Sequence, residues 1–159
     1  MKVWLNCLMV AAICAGGISC GGSSSSSSNA PNLVGGWAGT IKINAVAGHL
    51  IGSNTCTHSW TITSQTAATF SGTYQLAGGT TTSCGSSGSV SGTISTTGAF
   101  SGLSFVCTVG DCYLPCTLTG STPWAGNLTG SSINLQRSQQ FSCSGTYAAR
   151  SMVIALTKR

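Results

Sequence analysis

From Trp37 onward, apolar residues fall on alternate positions of the chain, separated mainly by Ser, Thr, Asn and Gln. Trp37, Gly39, Ile41 and Ile43 form one face and Ala38, Thr40, Lys42 and Asn44 the other, which is the pattern of a strand with one side buried. The alternation returns in Trp60 and Ile62; in Phe70, Gly72, Tyr74 and Leu76; in Val90, Gly92 and Ile94; and in Leu114, Cys116, Leu118 and Gly120. It continues in Trp124, Gly126 and Leu128; in Ile133 and Leu135; in Phe141, Cys143, Gly145 and Tyr147; and in Met152, Ile154 and Leu156. Behind the N-terminal leader no stretch has a helical period. Near Gly102 the phase slips, because Phe100 cannot share a face with Leu103 and Phe105 unless the strand bulges.

Glycine recurs on the apolar face two residues after a bulky one, at Gly39, Gly72, Gly92, Gly126 and Gly145. Glycine weakens a flat strand, so its repetition there argues for strands that coil sharply and for room beside a neighbouring aromatic ring. Val90 to Ile94 and Phe100 to Gly102, joined across Thr96-Thr97-Gly98, read as one hairpin of a tandem series. The expected fold is therefore all-β: a small antiparallel up-and-down barrel of about eight to ten strands, with a two-sheet β-sandwich as the alternative. Closure suits a sheet so poor in charge, because it removes the exposed edges.

The N-terminus changes the picture of where such a domain works. Lys2 precedes an apolar run from Val3 to Ala15, too short to span a membrane comfortably. Gly17-Ile18-Ser19-Cys20-Gly21-Gly22 and serines 23–28 follow. This arrangement resembles the bacterial lipoprotein signal, with Gly17 standing where that family usually carries leucine. The resemblance implies that residues 1–19 are a removed signal peptide and that Cys20 becomes a lipidated N-terminus. It also implies a protein anchored in the bacterial cell envelope, and Gly21 after the cysteine resembles the outer-membrane-sorted members. Residues 20–32 then form a Gly/Ser-rich linker reaching on the order of 20 Å, and residues 33–159 form the barrel domain.

Without the leader and Cys20, six cysteines remain: Cys56, Cys84, Cys107, Cys112, Cys116 and Cys143. An even number in an exported domain suggests three disulfides, for which fifteen connectivities exist. Cys56 with Cys84 is the favoured pair, since a hairpin between the strands carrying Trp60 and Tyr74 brings its open ends together. Metal binding by Cys107, Cys112 and Cys116 with His49 or His58 is the rival, but the spacings lack paired C-x-x-C knuckles, and no metal or cofactor is expected.

Charge excludes more than it suggests. The whole chain has six Lys or Arg and one acid, Asp111. Paired-carboxylate catalysis is thus out of reach. A Ser-His-Asp set built on His49 or His58 has no G-x-S-x-G elbow, and Gly78-Gly79 and the segment 85–88 lack the lysine and helix of a phosphate loop. The positive excess is too sparse for a nucleic-acid face. The chain reads as a non-enzyme.

Gly35-Gly36-Trp37 and Phe70-Ser71-Gly72-Thr73-Tyr74 resemble the G-x-W opening of lipocalin-type barrels and the F-x-G-x-Y segments of avidin-type barrels. That resemblance implies a meander barrel holding a small molecule in its mouth, with Trp37 as a structural plug packed against a late arginine, a place open to Arg150. Trp60, Tyr74, Trp124 and Tyr147 are the candidate pocket lining, against the alternative that each is a packed core ring. Two functions stay open. One is a lipid-anchored binding protein for a small apolar or amphipathic ligand. The other is a non-enzymatic envelope structural or interaction protein, or a protease-inhibitor-like lipoprotein, with a filled barrel.

Overall fold

A computed structural model describes residues 29–47, 52–79, 84–110, 117–143 and 146–159; the side chains at 45–47, 143, 146 and 147 lie outside the description. Cys20, His49, Asp111, Cys112, Cys116 and Gly145 therefore lie outside the described residues.

Nine strands follow one another: β1 (Gly35–Ala47), β2 (Gly52–Thr66), β3 (Thr69–Ala77), β4 (Ser86–Ile94), β5 (Phe100–Gly110), β6 (Thr117–Ser121), β7 (Ala125–Thr129), β8 (Ser132–Cys143) and β9 (Thr146–Lys158). They form one antiparallel sheet in the order β5-β4-β3-β2-β1-β9-β8-β6, with β7 also on β8. The first strand pairs with the second on one side and with the last on the other, as an up-and-down barrel requires. β7 runs beside residues 132–136 of β8 and β6 beside residues 139–142, so the two share one place and nine strands make eight staves. The circle closes at one end, where Ala99 bridges to Asn127 and the Leu128 amide donates to the Gly98 carbonyl at 2.8 Å. Farther along, β5 and β6 form a seam with no pairing between them among the described residues.

Inward rows follow the sequence pattern. Trp37, Ile41, Trp60, Ile62, Phe70, Val90, Ile94, Ile133, Leu135, Ile154 and Leu156 are all buried, while Thr40, Lys42, Thr57, Thr61, Ser71, Thr73, Gln75, Asn134 and Gln136 face solvent. The phase slip in β5 is real: the β4 pairing shifts between Ser91 and Thr93, and Gly102 takes a left-handed φ of 57°. One end of the barrel is plugged. Leu33 is fully buried, and Gln65 holds its segment by accepting from the Leu33 amide at 2.7 Å and donating to the Pro31 carbonyl at 2.9 Å. Trp37 lies beneath, with its indole Nε1 donating to the Leu33 carbonyl at 2.7 Å. Ala30 already packs on this core.

Cys56 and Cys84 form a disulfide, with Cα atoms 5.5 Å apart. Cys56 stands inside β2 rather than ahead of it, and the bond ties that strand to the approach of β4. Cys107 is also disulfide-bonded.

Three expectations are corrected. Phe141, Cys143, Gly145 and Tyr147 do not share one strand: β8 ends at Cys143 and β9 starts at Thr146, so Tyr147 pairs back onto Ser142. Leu118 is 48 % exposed on β6, beside the seam, instead of in the core. Most inward glycines serve backbone approach rather than ring packing. A Cβ at Gly72 would overlap the Thr61 carbonyl oxygen of β2, and one at Gly39 the Ala155 carbonyl of β9. Among the described glycines of that set, Gly92 alone has a ring in reach, its added Cβ lying 3.2 Å from Phe70 and equally near the Leu103 backbone.

Two stability outcomes follow. Gly72→Ala costs about 1–3 kcal/mol, because the obstacle is main chain that cannot swing aside; urea unfolding that leaves the variant level with the wild type contradicts the close approach. Replacing Cys56 and Cys84 together by alanine costs about 3–4 kcal/mol by the loop-closure estimate, read as a lower midpoint under non-reducing conditions.

Candidate functional site

The barrel interior has an aromatic layer and a polar one. The aromatic layer centres on Phe105, partly buried on β5, whose ring centroid lies 5.3 Å from Tyr74, 5.4 Å from Trp124, 5.6 Å from Trp60 and 6.0 Å from His58. These are tilted and edge contacts of the kind aromatic rings favour. Alternation explains the convergence: Trp60 faces Tyr74 across β2 and β3, and His58 sits two residues from Trp60 on the same inward row. Trp60, Tyr74 and Trp124 are thus brought together, but as a packed group, at 1 %, 7 % and 6 % exposure. Tyr147 has its backbone in β9, and its side chain is outside the description. The open concavities lie elsewhere, one bordered by Leu76, Gly79, Cys84 and Val109 and another by Asn29, Val34, Ala68 and Thr96.

His58 is the unexpected member of this layer. Its Nε2 accepts from the Trp60 indole Nε1 at 3.0 Å, so the proton of the neutral ring sits on Nδ1. That Nδ1, like the indole Nε1 of Trp124, is buried without a hydrogen-bond partner. Each such orphan donor costs roughly 1–3 kcal/mol against a satisfied one. Burial holds the His58 pKa down to about 4, from an ordinary 6.5.

The polar layer comes from β8 and β9. Ile133, Leu135, Arg137, Gln139 and Phe141 occupy one inward row, and Ala148, Arg150, Met152 and Ile154 the next. Gln139 is 8 % exposed and accepts from Arg150 Nε at 2.8 Å; the two residues are directly opposite in register. The Arg150 guanidinium also lies over the Phe141 ring, 4.8 Å from its centroid. Arg137 stacks over Trp124 at 5.8 Å and reaches Ser121 Oγ and the Thr122 carbonyl, its Nε donating at 3.0 and 3.1 Å. Both guanidinium groups are pulled below their ordinary pKa by burial, and Arg150 further by the charge of Arg137.

Arg150 is thus not the partner of Trp37. It pairs with Ala45, eight residues along β1 from Trp37, whereas Lys158, opposite Trp37 in register, places its ammonium 5.5 Å from that ring. The plug role of Trp37 rests on Leu33 and Lys158. Arg137, Gln139, His58 and Phe105 belong to the site although pocket-lining arguments from large rings pass over them. The signal was present: period two carries the row of Ile133 and Leu135 straight through residues 137 and 139 to Phe141.

No protein family, curated protein or solved structure matches this chain.

The protonation of His58 has a predictable consequence. The folded-state pKa lies below the unfolded one, so stability is full above about pH 6.5 and is lost as pH falls toward 4, where the imidazolium would have to form among rings. Between pH 7 and 4.5 the loss is about 2–3 kcal/mol. Urea unfolding at both values checks it against His58→Gln, in which this pH dependence disappears; equal slopes in the two proteins contradict it.

Proposed function

We propose that this protein is a lipid-anchored component of the bacterial cell envelope that holds a small amphipathic molecule inside its barrel. What supports the reading is the polar layer of Arg137, Gln139 and Arg150 on inward rows of β8 and β9 that are otherwise apolar. A barrel whose only task is to be stable gains nothing from desolvating two guanidinium groups, since apolar residues of similar volume would serve as well or better. The plugged end at Leu33 and Trp37 favours entry from elsewhere, and β5 and β6, unpaired among the described residues, lie toward the other end. The aromatic layer beneath is a floor rather than a wall, which narrows the ligand to a single chain or a small ring system. The anchor is Cys20, for which the apolar leader and the Gly/Ser tract speak.

A second reading, a filled-barrel envelope interaction protein, draws on the tight packing of Trp60, Tyr74, Phe105 and Trp124 and on exposed Val106, Val109 and Leu118 along the seam.

Expression in a bacterial host tests both parts. The protein is expected in the membrane fraction with an acylated Cys20 as its first residue, and Cys20→Ala is expected in the soluble fraction; membrane association unchanged by that substitution refutes the anchor. Soluble Cys20→Ala protein, titrated with single-chain amphiphiles below their micelle concentrations, is expected to show saturable change in tryptophan fluorescence. Silence across acidic, neutral and basic amphiphiles refutes the binding reading and leaves the interaction protein.

A further inference from the structure

The two interior arginines face no acid. The chain's single carboxylate side chain, Asp111, lies outside the described residues, and neither Arg137 nor Arg150 makes an ion pair among those described. Their positions are fixed by register: Gln139 stands opposite Arg150 and Arg137 opposite Met152, so the arginines are diagonal neighbours on one face, about 7–8 Å apart at the backbone. Like charges at that spacing, both partly desolvated, disfavour one another; burial lowers the Arg150 pKa most, and the charge of Arg137 lowers it further.

Their donors are unevenly used. Arg137 spends Nε and one terminal nitrogen on Ser121 Oγ and the Thr122 carbonyl. Arg150 spends only Nε, on the buried Gln139, which fixes the plane of its guanidinium against the Phe141 ring. Its two terminal nitrogens have no acceptor among the described residues. Trp124, whose ring Arg137 overlies, has its buried indole Nε1 likewise without an acceptor. This is a preorganised set of donors around positive charge, bordered by the apolar Phe141 and Met152.

Resting on the amphiphile reading above, we propose that the ligand's head is an anion, a carboxylate or phosphate monoester, seated between Arg137 and Arg150 with its chain against Phe141 and Met152. An anion there cancels the mutual repulsion of the guanidinium groups and accepts from the free terminal nitrogens of Arg150, whose fork matches both oxyanion types. A neutral head would leave the charges uncompensated.

The test is isothermal titration of soluble Cys20→Ala protein with dodecanoate, dodecyl phosphate, dodecanol and inorganic phosphate. Dodecanoate or dodecyl phosphate is expected to bind at least tenfold more tightly than dodecanol, and whichever is tighter names the head. Inorganic phosphate is expected to bind at least tenfold more weakly than dodecyl phosphate; if it equals the ester, the site is one for the free anion and the chain contact is overturned. Arg150→Gln and Arg137→Gln are each expected to weaken the anionic amphiphile tenfold or more, with Arg150→Lys recovering part of the loss. Should a variant fail to fold, the comparison of head groups on unsubstituted arginines decides alone. Dodecanol binding as tightly as dodecanoate overturns the anion proposal while sparing the amphiphile reading; no binding by any of the amphiphiles overturns both.

Discussion

At Gly72 the backbone of β3 lies so near that of β2 that a methyl group would occupy the space of the Thr61 carbonyl, and β1, β4 and β7 repeat this approach at Gly39, Gly88 and Gly126. Each contact is with the main chain of the neighbouring strand. Strands that touch in this way are coiled tightly enough for eight staves to curl round until their ends meet at the Ala99–Asn127 bridge. Rings from β2, β3, β5 and the residue before β7 meet around Phe105. A chain with so few charges also gains where the two sheet ends meet, since the Ala99–Asn127 bridge covers part of the edge that would otherwise invite other strands.

Within that interior the chemistry changes along the axis. Near the plug it is apolar, with Leu33 over Trp37. In the middle it is aromatic, with His58 kept neutral by its surroundings and used as an acceptor for Trp60. Beside β8 and β9 it turns cationic. The guanidinium groups there rest on the faces of Trp124 and Phe141, contacts that repay part of their desolvation. The remainder is a cost the fold carries, and such costs concentrate where a protein meets something else.

Much of the architecture was legible because period two is a strong signal when nearly every outward residue is Ser, Thr, Asn or Gln. The rows through Trp37, Phe70, Val90, Ile133 and Ile154, the bulge near Gly102 and the Cys56–Cys84 pairing all followed from spacing alone. Where Phe141 and Tyr147 proved to lie on two strands, the failure has a physical cause: an even-numbered gap keeps the phase across a tight reversal, so alternation runs on as if the strand did. Leu118 misled for a different reason, since a strand beside an incomplete seam has no opposing layer to bury its apolar residues. The glycine rows were seen, but their purpose was not, because a strand's own sequence does not say how near its neighbour's carbonyls pass. The site was the least legible part. Searching for a pocket lining selects large rings, and here the rings pack on one another while the unusual residues are the arginines and the glutamine on the same inward rows. The expectation that an arginine would cap Trp37 fell to register, which puts Lys158 there instead.

Under the proposed function the packed aromatic layer stays closed and the ligand sits at the cationic layer of Arg137 and Arg150. Side-chain ¹H–¹⁵N spectra of the soluble chain, recorded while dodecanoate is added, test it most directly. The account predicts that the Nε–H signals of Arg137 and Arg150 and the indole signal of Trp124 move together and saturate, while the indole signals of Trp37 and Trp60 stay in place. Movement of the Trp37 and Trp60 signals with those of the arginines unchanged would contradict it.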